Sequence, residues 1–256
     1  MRGISYRLQE LFDPLDHRGL FIDASAGAVL GVIPGLEDFS RAAGSLLPWI
    51  DGLVCSSGQL RRLEKRTRRE AALLVRVDWS NSLREKDFVL PPSEIHHMPI
   101  LTPQDALDLG AAAMVSTFFL GYEEEIEAAC MKNTVQYALE GKELGLPLVV
   151  EVDISGPRVS LAGKAVELGA SYALEGGADV IVVPYPGKKS LESIAAMVSV
   201  PWLVKLPSLE AAKVELFEAL ALGASGIWFN HAVFSLRDPL GTVQSWREHL
   251  RTPASA

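Results

Sequence analysis

Residues 176–187 read Gly-Gly-Ala-Asp-Val-Ile-Val-Val-Pro-Tyr-Pro-Gly, and this order joins the end of a helix, a strand and a turn. The glycine pair is typical of a helix end, because the left-handed residue that follows the last helical turn favours glycine. The apolar run 180–183 predicts a short buried strand, and the prolines and glycine after it end that strand. Helical patterns lie on both sides of the segment, which predicts a helix–strand–helix unit.

The same alternation continues along the whole chain. Parallel strands require a crossover between them, so short apolar runs separated by amphipathic helices predict a parallel sheet. The eight predicted strands are 20–23, 52–55, 73–78, 113–118, 148–153, 180–183, 202–206 and 226–229. The eight predicted helices are 39–47, 59–69, 103–109, 123–144, 160–175, 191–198, 209–222 and 240–250. This pattern predicts the α/β class and a closed (β/α)8 TIM barrel in a single domain, residues 1–256.

Several smaller features complete the predicted architecture. Residues 1–18 predict a helix that caps the N-terminal mouth of the barrel, and the long polar loop 79–102 predicts a lid or a subunit contact. The adjacent histidines His96 and His97 in this loop are predicted to be exposed rather than metal ligands. Five glycines are predicted to end helices, namely Gly110, Gly145, Gly169, Gly177 and Gly223.

Composition narrows the class of partner. With 24 basic and 32 acidic residues, the net charge of −8 opposes binding to nucleic acids and to anionic membranes. The basic cluster within 61–69 is interpreted as a solvated helix face. The two cysteines show no metal-ligand spacing, and no apolar run is long enough to span a bilayer. We therefore predict a cytoplasmic protein with a small-molecule substrate.

Polar side chains are concentrated where the predicted strands end. In TIM barrels the active site lies at the C-terminal ends of the strands. The residues at these ends are Asp23, Arg76, Asp78, Glu151, Asp153, Lys205, Asn230 and His231. Strand alternation places Arg76 with Asp78, and Glu151 with Asp153, on the face opposite the neighbouring valines. Because burying these charges is costly unless they pair or bind a ligand, the pattern predicts a substrate site, with a self-satisfied ion network as the alternative.

Lys205 has two candidate chemical roles. Desolvation in a barrel mouth lowers the pKa of an amine and favours the neutral nucleophile that attacks a carbonyl. Neighbouring carboxylates act in the opposite direction and favour the ammonium form. Schiff-base formation and an electrostatic or proton-transfer role therefore both remain open for Lys205.

A set of short motifs resembles the DhnA-type class I fructose-bisphosphate aldolase family along nearly the whole chain. The motifs are residues 7–14, 21–23, 34–38, 51–54 with Gly58, and 176–187. In that family the last of these segments carries the Schiff-base lysine, whose place is taken here by Val182. The resemblance implies that Asp23 is the active-site aspartate, that Tyr185 follows the reactive strand in the substrate site, and that the protein is a homo-oligomer.

The chain also departs from this family at positions that matter for its chemistry. Ala24 and Ser25 replace a His-Gly pair, and Glu151 and Asp153 stand where the sugar-phosphate aldolases have aromatic residues. The family grips a phosphate with a Ser-Gly-Gly turn and a Gly-Arg pair. Here these places read Lys205-Leu206-Pro207 and Asn230-His231. Because proline has no amide hydrogen, we do not expect a phosphate to be held in the family's way.

Three functional hypotheses follow. The first is a carbon–carbon lyase or synthase of the aldolase type without a cofactor, acting on a small polar carbonyl compound. Lys205, Asp23, Glu151 and Asp153 would be catalytic in it; the substrate contacts would be Arg76, Asp78, Tyr185, Asn230 and His231. The second is an isomerase, dehydratase or lyase that uses a divalent metal bound by the carboxylates. The third is a catalytically silent barrel that serves in binding or assembly.

Overall fold

The computed structural model describes residues 2–63, 71–206 and 213–251. Eight parallel strands close into a barrel in the order β1-β2-β3-β6-β7-β8-β9-β10, and β4 pairs with β5 in a separate antiparallel ribbon. The strands are β1 Gly19–Asp23, β2 Gly52–Cys55, β3 Ala72–Arg76, β4 Asp78–Ser80, β5 His97–Pro99, β6 Ala113–Phe119, β7 Leu148–Asp153, β8 Val180–Pro184, β9 Trp202–Lys205 and β10 Gly226–Phe229. The predicted (β/α)8 barrel is confirmed.

Helices surround the barrel. They are α1 Arg2–Leu11, α2 Gly27–Leu30, α3 Phe39–Leu46, α4 Ser57–Arg62, α5 Pro103–Asp108, α6 Glu124–Leu144, α7 Ala162–Glu175, α8 Lys188–Met197, α9 Lys213–Ala221 and α10 Pro239–Arg251. Short 3-10 turns lie at Leu47–Trp49 and His231–Ser235. Residues 64–70, which hold most of the basic cluster, and residues 207–212, which begin the predicted seventh helix and include Pro207, lie outside the described residues.

The alternation of side chains along each strand separates two cores. Inward-facing residues of the barrel strands pack together with Leu11, and they include Phe21, Val149, Val182 and Trp228. The alternate residues of the same strands pack against the helices in a larger outer core. Since this parity continues to the end of each strand, it determines which polar residue at a strand end faces the barrel axis.

The N-terminal mouth is closed by α1, which ends at Leu11 rather than at residue 18. Leu11 is completely buried against the inward-facing strand residues, so the helix acts as the predicted cap. Near the same end, Arg251 at the end of α10 donates hydrogen bonds to Asp51 at 3.1 and 3.2 Å and to Asp16. These bonds connect the last described helix to the segments that lead into β1 and β2.

One of the glycine predictions is wrong. Gly110, Gly145, Gly177 and Gly223 have positive φ angles, as helix ends require. Gly169 instead lies inside α7, where a Cβ atom would come within 2.4 Å of a Val152 methyl group. Close packing of α7 on β7, and not a turn, therefore explains this glycine.

The long loop after β3 is partly ordered as a ribbon. Asp78–Ser80 pairs with His97–Pro99, and Ser82 and Leu83 in the intervening segment line the cavity at the C-terminal mouth of the barrel. Sequence patterns do not reveal these strands, because each has three residues and the segment is polar and rich in proline. Among the described helices, none is both long and apolar enough to cross a membrane.

Candidate active site

The C-terminal mouth contains a cavity of about 110 Å³ that gathers the polar strand ends. The polar residues that line it are Asp23, Ser25, Ser56, Arg76, Asp78, Ser80, Ser82, Thr117, Glu151, Asp153, Lys205, Asn230 and His231. Eight of the nine site residues predicted from the sequence are in this set, and Tyr185 is the exception. These eight predicted residues therefore share one cavity, while the chemical role of each residue stays a prediction.

Strand parity explains why these side chains point inward. Phe21, Val149 and Leu203 face the barrel axis. Two residues further along the same strands, Asp23, Glu151 and Lys205 face the axis as well. They form the layer above the apolar interior, next to solvent, where a charge costs least and a ligand can enter.

Arg76 is the centre of the charge network. Its Nη2 donates to Asp23 Oδ2 at 2.5 Å and to Glu151 Oε2 at 2.7 Å. Its Nη1 donates to Thr117 Oγ1 at 2.5 Å, and its Nε donates to Ser25 Oγ at 2.9 Å. All three nitrogens of the guanidinium are therefore engaged, so Arg76 organises the carboxylates around it and leaves little capacity to bind an anionic substrate.

Lys205 is held by Glu151. The Lys205 Nζ donates to Glu151 Oε1 at 2.8 Å, while the other oxygen of the same carboxylate accepts from Arg76. The Lys205 side chain is 29% exposed and the Glu151 side chain 8%, so the amine faces the cavity and the carboxylate lies beneath it. This arrangement leaves part of the ammonium group accessible to a ligand.

The pKa shifts follow from this geometry. The charge of Glu151 raises the pKa of Lys205, and this effect outweighs burial, which lowers it. Burial raises the pKa of Glu151, but Lys205 and Arg76 together bring it well below its ordinary value. The pKa of Arg76 is raised, because the charges of Asp23, Glu151 and Asp78 outweigh its burial. At neutral pH the resting site therefore contains a protonated Lys205 beside an ionised Glu151.

Asp153 is less constrained than the other carboxylates. Within the described part of the chain, its hydrogen bonds come from the backbone and the hydroxyl of Ser155, both to Oδ1. Asp23, by contrast, accepts from Arg76 on Oδ2 and from Ser25 on Oδ1. Among the hydrogen bonds of the described residues, none engages the second carboxylate oxygen of Asp153, so this oxygen is open to a hydrogen bond from a ligand.

Asp78 is anchored below the cavity rather than aimed into it. Its Oδ2 accepts from the backbone of Thr117 at 2.5 Å and from Ser116 Oγ at 2.9 Å, and lies 3.0 Å from His97 Nε2. Its side chain is 2% exposed. These bonds hold the start of the β4–β5 ribbon against β6, and the substrate contact predicted for Asp78 stays a prediction.

The prediction of exposure holds for His96 but is wrong for His97. The ring of His97 is 1% exposed, with Nε2 at Asp78 and Nδ1 at 3.4 Å from Cys130 Sγ. Burial lowers its pKa, but the hydrogen bonds to Asp78 and Cys130 raise it to about 10. A protonated His97 therefore joins the two strands of the ribbon through Asp78 and ties the ribbon to α6 through Cys130. These contacts join residues far apart in sequence, which explains why local pattern did not reveal them.

Tyr185 lies on the opposite side of its strand from the cavity. Its hydroxyl donates to Glu218 Oε2 on α9 at 2.5 Å, and its ring packs against the outer core. Side-chain alternation along β8 explains this placement, because Ile181 and Val183 also face the helices. The structure therefore contradicts the substrate contact that the family resemblance implied for Tyr185.

Asn230 and His231 occupy the rim after β10. Asn230 Oδ1 accepts from the Ala232 backbone and caps the 3-10 turn that follows. Burial lowers the pKa of His231, and nearby Asp23 only partly offsets this effect. A neutral His231 at the rim is available as a hydrogen-bond partner rather than as a cation.

Val182 and Lys205 show how the amine differs in position from that of the resembled family. Val182 is completely buried in the barrel interior and is level with Leu203 on the next strand. Lys205 follows Leu203 by two residues, so it lies one inward layer closer to the mouth. A lysine at 182 would project from the interior, whereas Lys205 projects directly into the cavity.

The described residues contain no group of three or more histidine, cysteine, aspartate or glutamate side chains arranged to hold a metal ion. The oxygens of Asp23 and Glu151 that face each other are occupied by Arg76. These carboxylates are therefore arranged around an internal cation.

Sequence reasoning did not identify three residues that belong to the cavity or contact Arg76. Thr117 and Ser25 bind Arg76, and Trp79 lines the cavity. The alternation of side chains along β6 alone would have indicated that Thr117 faces inward, because it lies two residues after the inward-facing Val115. No comparable signal marks Ser25 or Trp79, since both lie in segments without regular periodicity.

Comparison with known proteins places this site in context. No protein-family model matches the chain. Over 248 residues the chain is 25% identical to an uncharacterized aldolase of Pasteurella multocida strain Pm70, covering 95% of this chain and 81% of that protein. It is also 25% identical over 248 residues to the 3-hydroxy-5-phosphonooxypentane-2,4-dione thiolase of Salmonella typhimurium strain LT2. This match covers 95% of this chain and 80% of that protein.

Two of the solved structures that share this fold are aldolases. A Schiff-base-forming fructose-1,6-bisphosphate aldolase has a TM-score of 0.80 at 21% identity, covering 96% of this chain and 99% of that chain. The second is an archaeal fructose-1,6-bisphosphate aldolase whose catalytic lysine is bound to a carbinolamine intermediate. It has a TM-score of 0.79 at 20% identity, and the match covers 96% of this chain and 99% of that chain.

The fold is therefore that of an aldolase-type TIM barrel. Within this class the chain resembles the DhnA-type class I aldolases, and the resemblance predicted from its sequence motifs is confirmed. Val182 occupies the position where the resemblance places the Schiff-base lysine of that family, and a separate lysine, Lys205, ends β9.

Proposed function

We propose that this chain is a carbon–carbon lyase of the aldolase type, working in either direction on a small polar carbonyl compound. The observation that carries the proposal is the convergence of Lys205 with Asp23, Glu151 and Asp153 in one cavity at the mouth of an aldolase-type barrel. The relatives named above as aldolases and a thiolase support the same reaction class.

The side chains suit the cleavage of a β-hydroxy carbonyl compound. A carboxylate, for which Asp153 is the best placed, accepts the proton of the β-hydroxyl group. The bond between the α and β carbons then breaks, the β carbon becomes an aldehyde or ketone, and the electron pair moves to the carbonyl oxygen as an enolate. Return of the proton to the α carbon completes the balance and releases the second carbonyl product.

We assign Lys205 an electrostatic role in this reaction. Its raised pKa keeps the amine protonated, and a protonated amine does not attack a carbonyl carbon. As an ammonium group exposed to the cavity, it stabilises the negative charge that develops on the enolate oxygen. Glu151 keeps the ammonium in place, and Arg76 keeps Glu151 in place.

Substitution of Lys205 tests this role. In an assay of β-hydroxy ketone cleavage, we expect Lys205→Met to lower kcat by about 10²–10³, the usual effect of removing one charge-stabilising donor. Lys205→Arg should keep more activity because it keeps the charge. The exposed residue Lys188 on α8 provides the matched control, and Lys188→Met should keep full activity.

Borohydride trapping separates the two roles of the amine. With turnover intact, we expect no stable adduct on Lys205 by peptide mass analysis. An adduct there would keep the lyase assignment and replace the electrostatic role with a Schiff base. If no carbonyl compound is turned over and none raises the melting temperature, the lyase proposal is wrong and a role in binding or assembly gains support.

We further propose that the enzyme is a cytoplasmic homo-oligomer. Cys55 and Cys130 form no disulfide, which fits a reducing compartment. Exposed apolar residues on α6, Val135 and Leu139, offer surface for a subunit contact. Light scattering coupled to size-exclusion chromatography tests the oligomeric state, and a monomer at all concentrations would contradict it.

A further inference from the structure

The lining of the cavity is of two kinds. The charged strand ends described above form its floor. The large apolar lining residues, called here the apolar wall, are Val29 in α2, Trp79 in β4, Leu83 in the loop that follows, Ile100 after β5 and Phe119 in β6. A ligand whose carbonyl group reaches Lys205 therefore has an apolar surface beside its remaining atoms.

The apolar wall is built by specific contacts. Trp79 Nε1 donates to the Ala28 carbonyl at 3.1 Å, so the polar atom of the indole is already satisfied. Arg84 Nε donates to the Val29 carbonyl at 3.1 Å, and its guanidinium lies 5.7 Å from the centre of the Trp79 ring. These bonds tie α2 to β4 and to the loop between β4 and β5, and they hold Val29 and Trp79 in place.

The wall also has apolar surface left uncovered. Leu83 is 45% exposed and Ile100 is 44% exposed, and both line the cavity. Covering apolar surface of this kind is favourable in proportion to its area. Binding pockets combine such surfaces with a few convergent polar groups, which is the arrangement seen here.

The charges of the cavity disfavour a phosphorylated ligand. Among the described lining residues, three carboxylates are open to the cavity, Asp23, Glu151 and Asp153, and there are two cations, Arg76 and Lys205; Asp78 is buried and paired with His97. The nitrogens of Arg76 are engaged, and Lys205 is paired with Glu151. A phosphate dianion would meet this excess of negative charge at close range.

We infer that the substrate is an unphosphorylated carbonyl compound with an apolar substituent, which lies against Val29, Trp79, Leu83 and Ile100 while the carbonyl oxygen meets Lys205. This inference rests on the proposed lyase function and adds the substrate class to it. The inferred substrate differs from the phosphorylated compounds that appear in the names of the relatives, because it carries no phosphate. The apolar substituent leaves on the aldehyde product or on the ketone product, according to which side of the broken bond it occupies.

A panel of matched substrates tests the inference. The probes are 4-hydroxy-4-phenylbutan-2-one, 4,5-dihydroxypentan-2-one and the phosphate ester of the latter at its terminal hydroxyl. We expect kcat/KM for the phenyl compound to exceed that for either polar compound by about tenfold or more, since a single methylene group in an apolar pocket is worth at least that factor. An equal or higher kcat/KM for the phosphate ester overturns the inference and leaves the lyase function standing.

Variants locate the contact. Leu83→Gln should lower kcat/KM for the phenyl compound about tenfold more than it lowers kcat/KM for 4,5-dihydroxypentan-2-one, because the latter has no apolar substituent to lose its contact. The matched control is Leu90→Gln, an exposed leucine in the same loop that does not line the cavity. Equal effects of both variants would overturn the inference.

Binding without turnover provides an independent readout. Calorimetric titration with 4-phenylbutan-2-one and with dihydroxyacetone phosphate compares an apolar ligand with a phosphorylated one. If no substrate is cleaved, tighter binding of 4-phenylbutan-2-one that Leu83→Gln weakens supports the ligand class while the lyase function fails. Tighter binding of dihydroxyacetone phosphate, or binding of neither ligand, overturns the inference.

Discussion

Each end of the barrel contains an arginine surrounded by carboxylates, but the two clusters connect different parts of the molecule. At the N-terminal end, Arg251 bonds to Asp16 and Asp51 and to the Arg18 carbonyl, and so ties the last described helix to the segments before β1 and β2. At the C-terminal end, Arg76 gathers side chains from separate strands around a cavity. The same ion-pair chemistry thus closes the fold at one end and builds a site at the other.

The two clusters also shift carboxylate pKa values in opposite directions. Burial raises the pKa of Asp51, and its bond from the Leu20 backbone and the charge of Arg251 do not compensate fully. Glu151 is buried as well, yet direct contact with both Lys205 and Arg76 lowers its pKa. Both carboxylates have two cationic partners, but those of Glu151 are closer, at 2.7 and 2.8 Å against 3.1 and 4.0 Å for Asp51, and this closeness accounts for the lowered pKa of Glu151.

The largest expected difference between the two ends concerns loss of the arginine. Arg76→Met leaves Asp23 and Glu151 without their shared cation, so we expect a loss of about 3–5 kcal/mol in the free energy of unfolding, together with loss of activity. Arg251→Met should cost about 1 kcal/mol, because that cluster is more exposed, and should leave kcat/KM of the folded protein unchanged.

Urea denaturation and kinetics on the same preparations measure both effects. Arg76→Lys controls for charge, since lysine lacks the fork that reaches several partners at once. Equal losses of stability and activity in Arg76→Met and Arg251→Met would remove the functional distinction between the two ends.

A smaller expected effect concerns pH. Because the folded pKa of Glu151 is lowered, its contribution to stability is present above its ordinary pKa and is lost as the pH falls below about 4.5. The folded pKa of Asp51 is raised, so its contribution favours folding at low pH and is lost as the pH rises through that pKa. The two ends of the barrel should therefore respond to acid with opposite signs.

Variants reveal the sign of each contribution. We expect Glu151→Gln to reduce the loss of stability on acidification, and Asp51→Asn to make that loss steeper, when urea midpoints are compared at several values between pH 3 and 6. Parallel pH profiles for Glu151→Gln and the unaltered chain would show that Glu151 is not held ionised by its neighbours.

The smallest expected effect is that of Tyr185→Phe. Since the Tyr185 hydroxyl bonds to Glu218 on the outer side of β8, its removal should cost about 0.5–1.5 kcal/mol of stability and leave kcat/KM within about twofold. Thermal unfolding and steady-state kinetics measure both quantities. A loss of kcat/KM greater than about tenfold would return Tyr185 to the catalytic site.

The sequence was sufficient for the barrel because its evidence is local. Apolar periodicity predicts every barrel strand to within two residues of its observed ends, and helix-ending glycines mark several of the junctions. Strand parity likewise predicts that Asp23, Glu151 and Lys205 share one mouth. These properties depend on residues close together along the chain, which a single sequence displays directly.

The remaining features depend on contacts between distant residues. The burial of His97 requires Asp78 and Cys130, which lie 19 and 33 residues away. The saturation of Arg76 by Ser25 and Thr117 is likewise a matter of packing between strands. Tyr185 shows a different source of error, because the family resemblance suggested a role that strand parity does not support.

The β4–β5 ribbon begins only two residues after Arg76, and the first residue of the ribbon, Asp78, is locked by His97. In many TIM barrels the loops at the C-terminal face vary independently of the scaffold, which allows them to be exchanged. Here the entrance of the cavity and its charged floor share one continuous stretch of backbone. Grafting a foreign loop at this position would disturb Arg76. The loop after β3 therefore cannot be exchanged independently of the barrel.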